Sequence, residues 1–148
     1  MISSTDGHTD RDMRMLDDAT CVGLLTRSSF GRIAFTSDTW PLILPVNYVY
    51  DEPNVLIRTA PGTKLDAAPR TPVGFEIDGA DDLGRWGWSV VVQGHAFNIT
   101  DFDDETSQHL RTHVVDTWAP GERRRWLKIT AVNVSGRAFG PIPDTDIA

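Results

Sequence analysis

The sequence predicts a mainly β protein, a small antiparallel barrel with a few short helices. About six segments rich in Val, Ile, Leu, Phe and Thr follow one another at short spacing. Connections such as "DEPN" at 51–54 are too short for a parallel crossover, so the strands they join must pair antiparallel. Helical stretches are few and short, which suits a barrel better than a doubly wound parallel sheet.

The elements are expected in the following order. Residues 1–12 are polar and rich in Ser, Thr and Asp, bury too little to offset their ordering entropy, and read as a disordered tail. In "LDDATCVGLLTRSSFG", Asp17 or Asp18 caps a helix with Cys21, Leu24 and Leu25 on one face, ended by Ser28, Ser29 and Gly31. "GRIAFT" is the first strand. "PLILPVNYVYD" is the second, with Leu42, Leu44, Val46, Tyr48 and Tyr50 alternating with Ile43, Pro45, Asn47 and Val49. Pro45 cannot donate to a ladder, so this strand is expected at an edge, at a bulge, or where something other than a strand packs. "DEPN" turns the chain into "VLIRT" to make a hairpin, and Thr63 is placed to cap a short helix over Lys64 to Ala68. "PVGFEID" follows as a strand, and then a polar loop leads to "WSVVVQGHAFNIT", where Gly94 marks a bulge or a close backbone approach. "DDETSQHLRTHVVDTW" is expected to be a helix with Leu110, Val114 and Trp118 along one side. "WLKITAVNVSGRAFG" is the last strand, and 141–148 form a C-terminal tail containing Pro141 and Pro143.

Composition narrows the function. The chain has 148 residues with 40% hydrophobic and 24% charged, the balance of one globular domain, here assigned to residues 13–140. No apolar run approaches a membrane span, no signal-peptide core opens the chain, and the single Cys21 reads as core filling, so a cytoplasmic setting is expected. A formal charge of -7 argues against sequence-independent nucleic-acid binding.

The segment "IRTAPGTKL" at 57–65 raises the question of an anion. If Arg58 and Thr59 end a strand and Gly62 and Thr63 open a helix, two cations, two hydroxyls and free helix N–H groups can converge, an arrangement suited to a phosphate monoester. The same spacing is equally compatible with solvated charges beside a Pro-Gly turn. Other polar residues also carry two readings. Glu76 either looks into a cleft or points to water, and His95 either satisfies a local hydrogen bond or ligates haem iron. Arg123 to Arg125 form either a solvated turn or a contact to a cofactor tail or to a partner's acids. His109 and His113 stand at i and i+4 with only Asp116 as a nearby third ligand, so they read as surface histidines and no metal is assigned.

The succession "GRIAF", "PLILPVNYVYD", "VLIRTAPGTKL", "PVGFEID", "GWSVVVQGHA" and "ITAVNVSGR" resembles the pyridoxamine 5'-phosphate oxidase-like family of flavin-binding split barrels, over roughly residues 15 to 140. Its most specific pieces are Arg-Thr-x-x-x-Thr-Lys around Gly62 and Trp-Ser followed by Gly94. The resemblance implies a six-stranded antiparallel split β-barrel and a homodimer holding one flavin mononucleotide (FMN) in each of two clefts between subunits. It implies that Arg58, Thr59, Thr63 and Lys64 hold the phosphate, that Pro45, Val46 and Asn47 lie beside the isoalloxazine ring, and that Trp88 and Ser89 approach from the partner subunit. The C-terminal arginine and histidine pattern of true pyridoxamine phosphate oxidases is missing, Arg137 alone remaining, so the chain is more similar to nitroimidazole, flavin and deazaflavin-dependent reductases. The implied function is an FMN-dependent oxidoreductase passing a hydride to a small planar acceptor. The alternative is a non-catalytic carrier of flavin, deazaflavin (F420) or haem. No catalytic side chain is assigned, because the cofactor carries the electrons.

Overall fold

The computed structural model describes residues 12–142; apart from Asp12 the expected N-terminal tail lies outside the described residues, as does Pro143. Strand β1 (Arg14–Leu16) precedes helix α1 (Asp18–Arg27). Asp17 is the cap: its carboxylate accepts the Thr20 N–H at 2.8 Å, supplying a partner for an otherwise free first-turn donor. Cys21, Leu24 and Leu25 are buried on one face, and Ser28 ends the helix by donating its N–H to Leu24 O. Cys21 is a free thiol packed in the core, where burial pushes its pKa up, so it fills space and is not poised to react.

Strands β2 (Phe30–Ser37), β3 (Trp40–Asn47), β4 (Val49–Asp51) and β5 (Asn54–Thr59) follow. The even residues Val46, Tyr48 and Tyr50 are buried and Ile43 and Pro45 are exposed, as the alternation requires. The predicted single strand is broken at Tyr48. Its hydroxyl donates to Leu25 O at 2.7 Å inside the molecule, its N–H donates to Ser29 O at 3.0 Å, and its ring meets Phe75 edge-on at 4.8 Å. The Ser29 bond extends the β2–β3 register by one step, and the buried hydroxyl ties Tyr48 to α1 where the chain passes from β3 to β4.

After a 3-10 turn (Lys64–Ala67) come β6 (Pro72–Ala80), β7 (Gly87–Asn98), α2 (Glu105–Leu110) and β8 (Arg125–Phe139). The strands form one antiparallel sheet in the order β3-β2-β6-β7-β8-β5-β4, with β1 on β8. The two ends of this path, β3 and β4, are joined in sequence through Tyr48 alone, so the sheet must curl on itself into a half-barrel. Among the described residues eight strands stand where six were expected, because Tyr48 divides one and because β1, three residues long, is too short to show a period. β3 is an edge strand, which accommodates Pro45.

The barrel interior holds Ile33, Phe35, Val55, Ile57, Phe75, Ile77, Val90, Val92 and Ile129 beneath α1. A second cluster, Leu56, Ile99, Leu110 and Trp126, packs α2 against the outside of β5 and β8. β5 is thus buried on both faces, which is why "VLI" reads as an unbroken apolar run. Ile142 also packs on the main core.

The second helix is shorter than expected. Arg111 N donates back to Ser107 O, Thr112 Oγ1 donates to His109 O at 2.6 Å, and Arg111 Nη1 donates to Ile99 O at 2.6 Å, so the last turn is closed by local bonds. The β-branched Val114 and Val115 then add little helix preference. Val114 and Trp118 are 81% and 72% exposed and do not continue the buried stripe of Leu110. The first short helix is a four-residue 3-10 turn in which Thr63 makes no side-chain cap. Among the described residues no helix is long and apolar enough to cross a membrane.

Candidate functional site

Pro45, Val46, Asn47 and Arg58 line one groove at the end of β3 and β5, together with Leu65, Thr117, Ala119 and Arg123. The elements dictate this convergence: β3 ends at Asn47 and β5 ends one residue past Arg58, with Pro45, Asn47 and Arg58 on the outer faces of their strands and Val46 reaching the groove from the core side. Asn47 Oδ1 accepts the Trp118 N–H at 3.0 Å, and the Trp118 ring stacks on Phe30 at 4.8 Å between centroids. The segment between α2 and β8 therefore lies as a strap along the groove. The sequence hinted at this only through Trp118 and the arginine run, because the residues it meets are far away in the chain.

Arg58 is the cation of the groove. Its guanidinium lies 4.0 Å over the ring of Trp126, its register partner across the β5–β8 ladder, and Nη2 donates to the Arg123 carbonyl. Nε is buried with no hydrogen-bond partner among the described residues, and burial pushes the guanidinium pKa below its ordinary value. The guanidinium lines the groove, and a partly desolvated cation there suits an anion, whose charge would offset the desolvation.

The rest of the expected phosphate socket is arranged differently. Thr59 and Thr63 share a hydrogen bond between their hydroxyls at 2.9 Å, and Lys64 is exposed. The Gly62 N–H, expected to be free, donates to Asp66 Oδ2 at 2.7 Å, while Asp66 Oδ1 accepts from Arg125. The Gly62 N–H is thus engaged by a local carboxylate. Of the four residues, Arg58 alone lines the groove.

Trp88 and Ser89 lie elsewhere. They line a separate cavity of about 320 Å³ with Asp78, Gly79, Arg137 and Phe139, and the Trp88 indole covers Gly79, where a Cβ would sit 2.6 Å from Nε1. One chain does not bring them to Asn47 and Arg58. The groove itself has about 100 Å³ of space, well below the roughly 300–1,000 Å³ of ordinary ligand pockets.

Glu76 projects from the outer face of β6 beside Arg32, whose Nη1 is 4.0 Å from Oε2 and 3.2 Å from Asp78. Burial, then the neighbouring Asp78, push its pKa up to about 7 against the opposing pull of Arg32, and Oε1 is buried without a partner among the described residues. Its folded pKa is raised, so this group's stabilising contribution is complete below about 4.5 and is lost as pH rises to about 7. Glu76→Gln is expected to remove that dependence. Urea midpoints at pH 5 and pH 8 should show the variant gaining on the parent at pH 8, and an unchanged difference would contradict the assignment.

His95 is exposed on the rim of a shallow depression of about 480 Å³ floored by Ala34 and Gly74. Arg124 pairs with Glu122 and Arg125 with Asp66, and Arg123 lines the groove. The arginine run is therefore partly a surface turn and partly groove wall.

Comparisons with known proteins bear on this geometry. An uncharacterised protein of Mycobacterium tuberculosis is 35% identical over 97 residues, a stretch that covers 62% of this chain and 64% of that protein's length. The structure of the FAD binding protein from Mycobacterium smegmatis is similar at 32% identity, covering 86% of this chain and 98% of that one with a TM-score of 0.70. A FAD-binding protein from Mesorhizobium loti is similar at 26% identity, covering 88% and 98% with a TM-score of 0.68. A family-wide profile described as pyridoxamine 5'-phosphate oxidase matches residues 17–138, most of the barrel described above. The chain belongs to the pyridoxamine 5'-phosphate oxidase family.

Proposed function

We propose that this protein is a flavin-dependent oxidoreductase that binds a flavin nucleotide against the Pro45–Asn47 and Arg58 groove and passes a hydride to a small planar acceptor. The observation that carries the proposal is Arg58, a desolvated cation with a buried, unpartnered Nε, beside the free edge of β3. When bound, the flavin supplies the two-electron chemistry. Arg58 would hold phosphate oxygen through the part of its guanidinium that lines the groove. The outer edge of β3 carries main-chain donors and acceptors that no neighbouring strand among the described residues uses, a partner for the mixed donors and acceptors of a flavin's pyrimidine edge. Phe30 and Trp118 stack next to Asn47 and offer an aromatic surface beside the groove.

We further propose that the working unit is a homodimer. The groove of one chain is too small for a flavin, and Trp88 and Ser89 stand at a different cavity, so completion by a second chain reconciles both facts. Ile43 and Val132, 65% and 75% exposed, are large apolar side chains on the outer face of the barrel that a second copy would cover. The relatives named for FAD favour a dinucleotide, whereas the resemblance drawn from the sequence favours FMN; a deazaflavin is the alternative. Chromatography of the cofactor released by denaturation separates these.

A carrier without turnover is the second reading. It is separated from an oxidoreductase by anaerobic mixing with reduced nicotinamide or reduced deazaflavin. An enzyme is expected to bleach its flavin at least tenfold faster than free flavin, whereas equal rates would leave a carrier.

A further inference from the structure

We propose that Asp51, His109 and His113 form a binding site for one divalent transition-metal ion of the zinc class. His113 lies 62 residues from Asp51 in sequence, yet its Nε2 stands 2.8 Å from Asp51 Oδ2, and His109 Nε2 is 3.3 Å from the same oxygen. All three ligand atoms lie within 4.8 Å of one another. A tetrahedral ion with bonds of about 2.0–2.1 Å has ligand-to-ligand edges of about 3.3–3.4 Å, so small side-chain adjustments seat an ion among these atoms. From sequence the two histidines read as surface residues with only Asp116 nearby in the chain; the fold brings in Asp51, from the end of β4.

The chemistry of the donor set selects the ion. Two imidazoles and one carboxylate match three-ligand zinc sites that keep a fourth position open, and they suit nickel or copper by the same softness. Magnesium and calcium take oxygen ligands and gain little from imidazole. The His109 side chain is 67% exposed, while those of Asp51 and His113 are 32% exposed, which leaves an approach from solvent.

Each ligand sits on a held backbone. Asp51 pairs with Asn54 across the β4–β5 hairpin, and Asn54 Oδ1 accepts from Thr130 Oγ1 at 3.0 Å. α2 is anchored by buried Leu110, by its Asp104 cap on Ser107 N at 2.9 Å, and by Arg111 on the Ile99 carbonyl. The Thr112 bond to His109 O and the His113 N–H bond to Leu110 O at 3.2 Å turn the chain so that both imidazoles meet the same carboxylate. An ion there ties the hairpin to α2 and fixes the start of the strap that runs along the groove. The site is independent of the flavin reading.

The test uses the full chain without an affinity tag, stripped by chelator and titrated calorimetrically with zinc chloride, with melting followed in parallel. One equivalent per chain and a rise of several degrees in Tm are expected, with magnesium chloride giving neither. His109→Ala, His113→Ala and Asp51→Asn should each weaken binding at least tenfold, and His95→Ala should leave it unchanged. His109 is exposed, so its variant remains folded and decides the matter if Asp51→Asn does not fold. Absence of stoichiometric zinc binding, or full binding by His109→Ala, overturns the proposal and leaves the cluster as hydrogen-bonded imidazoles on Asp51.

Discussion

Arg58→Ala is expected to weaken flavin binding roughly 30- to 150-fold, the equivalent of about 2–3 kcal/mol for a charge-assisted hydrogen bond at a desolvated site. The guanidinium lines the groove and is partly desolvated, so a phosphate bound against it gains a charge-assisted contact that alanine removes. Arg58→Lys keeps the charge but loses the planar fork and the stacking on Trp126, and should fall between parent and alanine variant. Fluorescence titration of the cofactor-free protein measures this, with thermal melts to show that the variants fold. Lys64→Ala should have a much smaller effect, because Lys64 is exposed and does not line the groove. Equal losses for both variants would restore the socket that the sequence suggested.

Gly94→Ala is expected to destabilise the fold by about 3 kcal/mol, the upper part of the usual range for overpacking. β7 and β8 change register here: Gln93 faces Asn133 and Gly94 faces Ala131, so Val132 is the extra residue of a bulge. A Cβ at position 94 would stand 2.1 Å from the Thr130 carbonyl oxygen and 2.9 Å from its carbon. Both atoms are backbone in the longest strand pair of the sheet, so neither can swing aside as a side chain can. Urea unfolding should give a lower midpoint with a similar slope. A loss under 1 kcal/mol would mean that the bulge relaxes easily.

The barrel was legible where local physics and the fold agree. The Asp17 cap, the alternation through Leu42 to Tyr50, the "DEPN" hairpin and the Gly94 bulge follow from residues within a few positions of one another. α2 was overextended because Val114 and Trp118 fall at helical spacing, whereas Trp118 finds its partner in Phe30 on β2. Periodicity does not reveal a partner 88 positions away. The site divides in the same manner. Pro45 to Asn47, named through the resemblance, and Arg58, named from its own segment, come to line one groove. The strap carbonyl that receives Arg58, and the Asp51 carboxylate that receives two histidines, lie 65 and 62 positions from their partners and appear only once the chain is folded. Asp66 illustrates a third case, in which a nearby residue was visible but its competition for the Gly62 N–H was not.

The absorption spectrum of the protein after purification and desalting tests the central claim most directly. The account predicts bound oxidised flavin, near one equivalent per chain after correction for loss, with its spectrum perturbed from that of free cofactor. A colourless protein that leaves the spectrum of added FMN, FAD and deazaflavin unchanged would contradict it.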